Sequence, residues 1–155
     1  MGVKVLEIKK ESCPACRLIG KKYEGNANWG EWWENNWFEI LEQNQSLPFN
    51  GDAYIGAVRI ADGMPQRWIG MFFPANTEVP EGFEVIVLPK CKYVMFHGEP
   101  FEEADFGEAI QQIWDAAKKY NPEVVGLCWD DTNPRIQLEP IGTRGYIELY
   151  PVKDI

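Results

Sequence analysis

Between residues 83 and 120 the spacing of apolar positions changes period once, and the rest of the chain can be ordered around that change. Residues 83–88 (FEVIVL) form a short apolar, β-rich run, Pro89-Lys90 breaks it, and residues 93–97 (YVMFH) form a second. Gly98-Glu99-Pro100 is a loop signal. From Ala104 the period lengthens. Phe106, Ala109, Ile110, Ile113, Trp114, Ala117 and Tyr120 recur at three- and four-residue steps, which makes one apolar stripe on a helix. Glu102, Glu103 and Asp105 near its start and Lys118 and Lys119 near its end complement the helix dipole, and Pro122 stops it.

Upstream, residues 3–8 are β-rich, although neither alternating face is cleanly polar, and residues 17–23 read as a second strand. Asn28 with Glu31 resembles a capping box. The helix it opens carries Trp29, Trp33, Trp37, Ile40 and Leu41 on one stripe, leaves Trp32 and Phe38 outside it, and ends before Pro48. Residues 53–60 and 67–73 are strands joined by a hairpin loop over 61–66. Each holds an internal glycine, Gly56 and Gly70, where something can approach closely. Further apolar runs follow at 124–129, 136–139 and 146–152. Strand, helix, strand, strand thus occurs twice, from residue 17 and from residue 92. This predicts an α+β fold of two βαββ-like halves forming an antiparallel sheet, with two main helices on one face, in a single domain spanning residues 1–155.

Several of these stretches resemble the GyrI-like, or AraC-type effector-binding, small-molecule domain family. The match lies in Pro89, Lys90, Lys92 and Tyr93 at the turn into a strand, Gly98 in the following loop and Trp114 on the helix. It also lies in Arg17-Leu18-Ile19-Gly20, in Val79-Pro80-Glu81-Gly82 ahead of an apolar strand, and in the terminal run ending Tyr150-Pro151-Val152. Nearly the whole chain is covered. The resemblance implies a central ligand cleft between the two halves, with a strand glutamate pointing into it. Leu138-Glu139 is similar to that position, with Ile141 where the family usually has a tyrosine. Family members are often fused to a helix-turn-helix reader. No such segment precedes the domain here, so direct control of DNA is not expected.

A net charge of −9 changes the picture by arguing against a nucleic-acid partner, which needs a basic face, and against an anionic membrane surface. No apolar run is long enough to span a bilayer and no signal peptide is evident, so a cytoplasmic location is expected. The acidic balance suits a cationic or neutral ligand. Seven Trp in 155 residues are many for packing alone, and aromatic-lined cavities are a common way to hold apolar ligands. Cys13-Pro14-Ala15-Cys16 has the form of redox and zinc motifs, but a strand follows it rather than a helix. Cys91 and Cys128 are far apart in sequence, so no metal and no cofactor are expected, and reduced thiols are the default. His97 is the only histidine, which leaves little room for Ser-His-Asp or Cys-His chemistry.

The aromatics that fall on candidate inward faces are Trp33, Trp37, Tyr54, Trp68, Phe96, Trp114, Tyr146 and Tyr150, with Glu139 or Glu148 as the charged group. A carboxylate beside rings offers a cation both its charge and the ring quadrupole. The first reading is a small-molecule-binding protein whose ligand is hydrophobic, aromatic or cationic. The second, implied by the resemblance, is a hydrolase opening reactive cyclopropane-containing compounds, with Glu139 activating water and Tyr150 donating or orienting a proton. The third is an inhibitor that sequesters a protein partner.

Overall fold

The structure, a computed structural model, describes residues 4–155; Val3, with which the first expected strand opens, lies outside them. Nine strands form one mostly antiparallel sheet: β1 (Val5–Cys13), β2 (Cys16–Tyr23), β3 (Ile55–Ala61), β4 (Met64–Pro74), β5 (Glu84–Leu88), β6 (Cys91–Gly98), β7 (Leu127–Trp129), β8 (Arg135–Gln137) and β9 (Ile147–Asp154). Their order is β1-β6-β9-β8-β3-β4-β2-β5, with β7 also paired to β9. The duplicated order is real. One half runs β2, two short helices, β3, β4. The other runs β6, a long helix, β7, β8, β9, one short strand more. The halves meet where β3 pairs with β8.

The sheet is strongly curled. β1 and β2 stand six places apart in the order, roughly 29 Å in a flat sheet. Yet only Pro14-Ala15 separates them, and only Pro89-Lys90 separates β5 from β6. Links that short reach roughly 10 Å, so the two ends of the sheet must approach each other. The inner face therefore gathers side chains from both ends into one core, including Cys13, Cys16, Leu18, Trp68, Phe72, Tyr93 and Leu149.

The opposite face carries the helices in two patches. α1 (Trp29–Glu34) and α2 (Trp37–Leu41) cover Ile19, Ile69, Met71 and Phe73. α3 (Phe106–Lys119) covers Val94, Phe96 and Val152 through Ala109, Ile113 and Ala117. The sequence predicts one continuous helix after Asn28, and this is corrected. Asn28 does cap α1, accepting the Glu31 N–H at 3.2 Å, but the chain breaks at Asn35-Asn36, where Asn36 is left-handed (φ 54°). That conformation suits asparagine and cannot continue a right-handed helix. The break rephases the apolar stripe, so Trp32, Phe38 and Leu41 face the core while Trp29, Trp33 and Ile40 are exposed. The 61–66 loop tightens to a two-residue turn at Asp62-Gly63, both at positive φ, the signature of a primed hairpin turn.

Candidate functional site

Between the two helix patches the sheet face is open. Its floor follows from strand alternation: Gly56 and Val58 on β3, Arg135 and Gln137 on β8, and Glu148 and Tyr150 on β9 all point to the helix side, because their neighbours Ile55, Ala57, Ile136, Ile147 and Leu149 fill the inner core. A cleft of about 570 Å³ opens here. α3 supplies Trp114, Ala117 and Lys118 to its wall, β7 and the following loop supply Trp129, Asp130, Asp131 and Asn133, and the outer end of β3 with Arg67 of β4 closes the other side. The gap has a topological cause. β8 pairs with Glu148 and Leu149 of β9, and β7 with Val152–Asp154, so Tyr150 and Pro151 face the cleft between two partner strands.

Glu148 lies under this cleft with none of its surface exposed. Oε2 accepts the Tyr146 hydroxyl at 2.7 Å and the Trp114 indole N–H at 3.0 Å. Arg135 Nε stands 3.0 Å from Oε1. That contact has the distance of an ion pair without hydrogen-bond alignment, so both atoms are buried with no hydrogen-bond partner among the described residues. The Arg135 guanidinium carbon also sits 5.2 Å from the centre of the Tyr150 ring. Tyr150 in turn packs edge-on to Phe96 and tilted against Trp129, with centroids 5.3 and 5.8 Å away. Burial, reinforced by the Glu148 charge, pushes the Tyr146 and Tyr150 hydroxyls well above the ordinary tyrosine range, so both stay protonated donors at neutral pH.

The expected site residues therefore divide. Trp114 and Tyr150 line the cleft, and Glu148, Tyr146 and Phe96 support it from beneath. Trp33, Trp37 and Tyr54 belong to the α1–α2 cluster instead. Tyr54 stacks on Phe38 at 4.1 Å with Trp33 edge-on to it, and Trp37 packs against Trp32 beneath the Lys21 ammonium. Trp68 is on the inner face, where its indole N–H donates to Gln66 at 2.8 Å. Alternation could not say which face of β4 carried the helices. Glu139 is exposed beyond β8, and its backbone N–H donates to Asp52 at 2.8 Å. Glu139 is absent from the cleft lining, so the pair named for turnover, Glu139 with Tyr150, is not assembled there. Sequence reading missed Arg67, Lys118, Trp129 and Arg135. Arg135 had a usable signal, since it lies two residues before Gln137 on the same strand face.

Among the described residues no group of three or more His, Cys, Asp or Glu side chains is placed to hold a metal ion. Cys13 and Cys16 are free thiols, their sulfurs 3.9 Å apart at the β1–β2 link, and Cys91 sits opposite Cys13 in the register of β1 and β6. No helix among the described residues is long and apolar enough to cross a membrane.

Residues 7–150 match the profile described as Cass2, integron-associated effector binding protein. The chain belongs to this family. Solved structures with the GyrI-like effector-binding fold accompany the Cass2 match. SAV2435 bound to tetraphenylphosphonium is 17% identical, covering 96% of this chain and 94% of that one at a TM-score of 0.61. The EcmrR C-terminal domain is 12% identical, with coverages of 96% and 98% and a TM-score of 0.58. The integron cassette protein VCH_CASS2 of Vibrio cholerae is 8% identical over the full length of both chains, at a TM-score of 0.56. At these identities the likeness establishes the fold. No curated protein matches the chain.

Proposed function

We propose that the chain is a single small-molecule effector-binding domain whose cleft between α3, β3 and β9 holds a hydrophobic, aromatic ligand. The observation that carries this reading is a cleft of about 570 Å³, drug-sized in volume, walled by Trp114, Trp129 and Tyr150 above a fully buried carboxylate. Apolar rings with a few fixed polar groups are the usual composition of such sites. Family membership supports effector binding, and the tetraphenylphosphonium bound to SAV2435 supports an aromatic ligand of this size. In this chain a cationic ligand would meet Arg135 at the carboxylate. Four free cysteines support a reducing, cytoplasmic setting. The test is calorimetric titration with a panel of neutral and charged polyaromatic compounds. Saturable one-to-one binding by at least one class is expected, and its loss in Trp114→Ala would place it in the cleft. A folded protein that binds none of the panel would sink the reading.

A further inference from the structure

The carboxylate-and-ring subsite in which a ligand cation would sit is already filled by the protein. Arg135 stands 3.0 Å from Glu148 and over the Tyr150 ring, so it takes both the charge and the quadrupole that such a cation would use. We propose that Arg135 thereby sets the ligand class, and that the cleft takes an aromatic anion, such as an aryl carboxylate, in preference to a lipophilic cation. This rests on the cleft being the effector site.

The rest of the lining points the same way. The chain is acidic overall at −9, yet the cleft wall carries three cationic side chains, Arg67, Lys118 and Arg135, against two acidic ones, Asp130 and Asp131; Arg59 also borders it but turns its guanidinium over Trp68 on the inner face. Asp130 is engaged within its own loop, accepting from Thr132 and from Asn133. Glu148 is matched by Arg135. Among the described residues neither Arg67 nor Lys118 has a carboxylate within ion-pair distance. A carboxylate ligand whose rings rest on Trp114 and Trp129 would find these two cations unpaired. A cation would have to expel Arg135 first.

Three probes that each carry three phenyl rings on one central atom vary the charge: triphenylacetate, triphenylmethanol and methyltriphenylphosphonium, each titrated by calorimetry into the wild-type chain at low and high salt. Triphenylacetate is expected to bind about tenfold more tightly than the phosphonium, with an advantage that shrinks as salt rises. Arg135→Gln, which leaves Glu148 unmatched, is expected to reverse that order. Arg67→Gln is expected to weaken triphenylacetate more than triphenylmethanol, and it supplies the check if Arg135→Gln does not fold. Phosphonium binding as tight as or tighter than triphenylacetate in the wild type overturns the assignment of ligand class while leaving the effector-binding reading intact. Failure of all three probes counts against that reading itself.

Discussion

Trp68 and Trp114 are the pair that separates core from cleft. Trp68 is 2% exposed on the inner face, and Trp114 is 37% exposed on the wall of the cleft. Truncating Trp68 to alanine removes nearly all of a buried indole, and large aromatic-to-alanine changes in cores cost about 3–5 kcal/mol. No unpaired acceptor is added to that cost, because Gln66 Oε1 keeps a second donor, Arg59 Nε at 3.1 Å. At roughly 2–4 °C per kcal/mol for a chain of this size, the melting temperature should fall by about 10 °C. Trp114 buries a little under two-thirds of its surface. At about 25 cal/mol per Å² on an indole of roughly 200 Å², with the usual reduction for a compact unfolded state, Trp114→Ala costs about 2 kcal/mol. Chemical denaturation gives both stabilities. Titration with the tightest aromatic ligand, well below either transition, gives the affinities. Trp68→Ala should bind within about twofold of wild type, and Trp114→Ala at least tenfold more weakly, since a lost ring contact of 1.4 kcal/mol is already a factor of ten. If Trp68→Ala weakens the ligand more than Trp114→Ala does, the cleft has been placed on the wrong face of the sheet.

Gly20 and Gly70 face each other across β2 and β4, and a Cβ on Gly70 would fall onto the Ile19 carbonyl oxygen and 3.0 Å from the Gly20 Cα. Gly70→Ala should therefore destabilise by more than about 2 kcal/mol in urea melts, where an unstrained glycine replacement stabilises by about 0.4–1 kcal/mol. Burial holds the Tyr93 and Tyr146 hydroxyls far above the ordinary value near 10. Both groups are raised, so their contribution to stability is intact below pH ~10 and declines above it, where the unfolded chain loses protons that the folded chain keeps. Part of the tyrosinate absorbance at 295 nm should thus appear only with loss of the far-ultraviolet circular dichroism, and complete titration of all six tyrosines with the fold intact would contradict this. A hydrogen bond from Cys13 pulls the half-buried Cys91 thiol below its ordinary value, while hydrogen bonding to Cys16 and Cys91 pushes Cys13 up. Mass spectrometry after brief alkylation should find Cys91 labelled before Cys13.

The order of elements was readable because it rests on period. The change from alternation to a three-and-four step at Ala104 marks α3, and the repeated strand–helix–strand–strand order gives the two halves. What period cannot supply is phase across the sheet. Trp68 and Arg67 are neighbours on β4, and only the packing of α1 and α2 on Ile69, Met71 and Phe73 decides which of them looks into the cleft. Both carboxylates also sat on plausible strand faces. Glu148 is the buried one because β9 is central, flanked by β6 on one edge and by β7 and β8 on the other, whereas Glu139 lies past the end of the three-residue β8. The α1–α2 region misled for a local reason. Two adjacent asparagines made a break that apolar spacing alone does not register.

The cleft exists because β9 changes partner along one edge, and the loop that bridges the change is what keeps it open. Residues 130–134 run from β7 to β8, and Asp130 ties their start to β9 and holds the turn that follows. Its backbone N–H donates to the Pro151 carbonyl at 3.0 Å, and its carboxylate accepts from the Thr132 N–H and the Asn133 amide, each at 2.9 Å. Burial alone would push the Asp130 carboxyl up. The donors from Thr132 and Asn133, with Lys153 nearby, outweigh burial and hold it below the usual carboxylate range. A depressed carboxylate contributes stability above its unfolded value near 3.9 and loses it as pH falls through the still lower folded value. Asp130→Ala removes the anchor. A hydrogen bond to a charged group is worth about 1.5–3 kcal/mol, part of which water recovers at this loop, so the fold should survive. The wall carrying Trp129 and Arg135 should loosen and ligand affinity fall severalfold, with faster amide exchange confined to residues 130–135. Asp130→Asn should in addition lose the acid-dependent part of wild-type stability below pH ~4. Unchanged affinity in a folded Asp130→Ala protein would show that the loop, however well tied, is not what shapes the cleft.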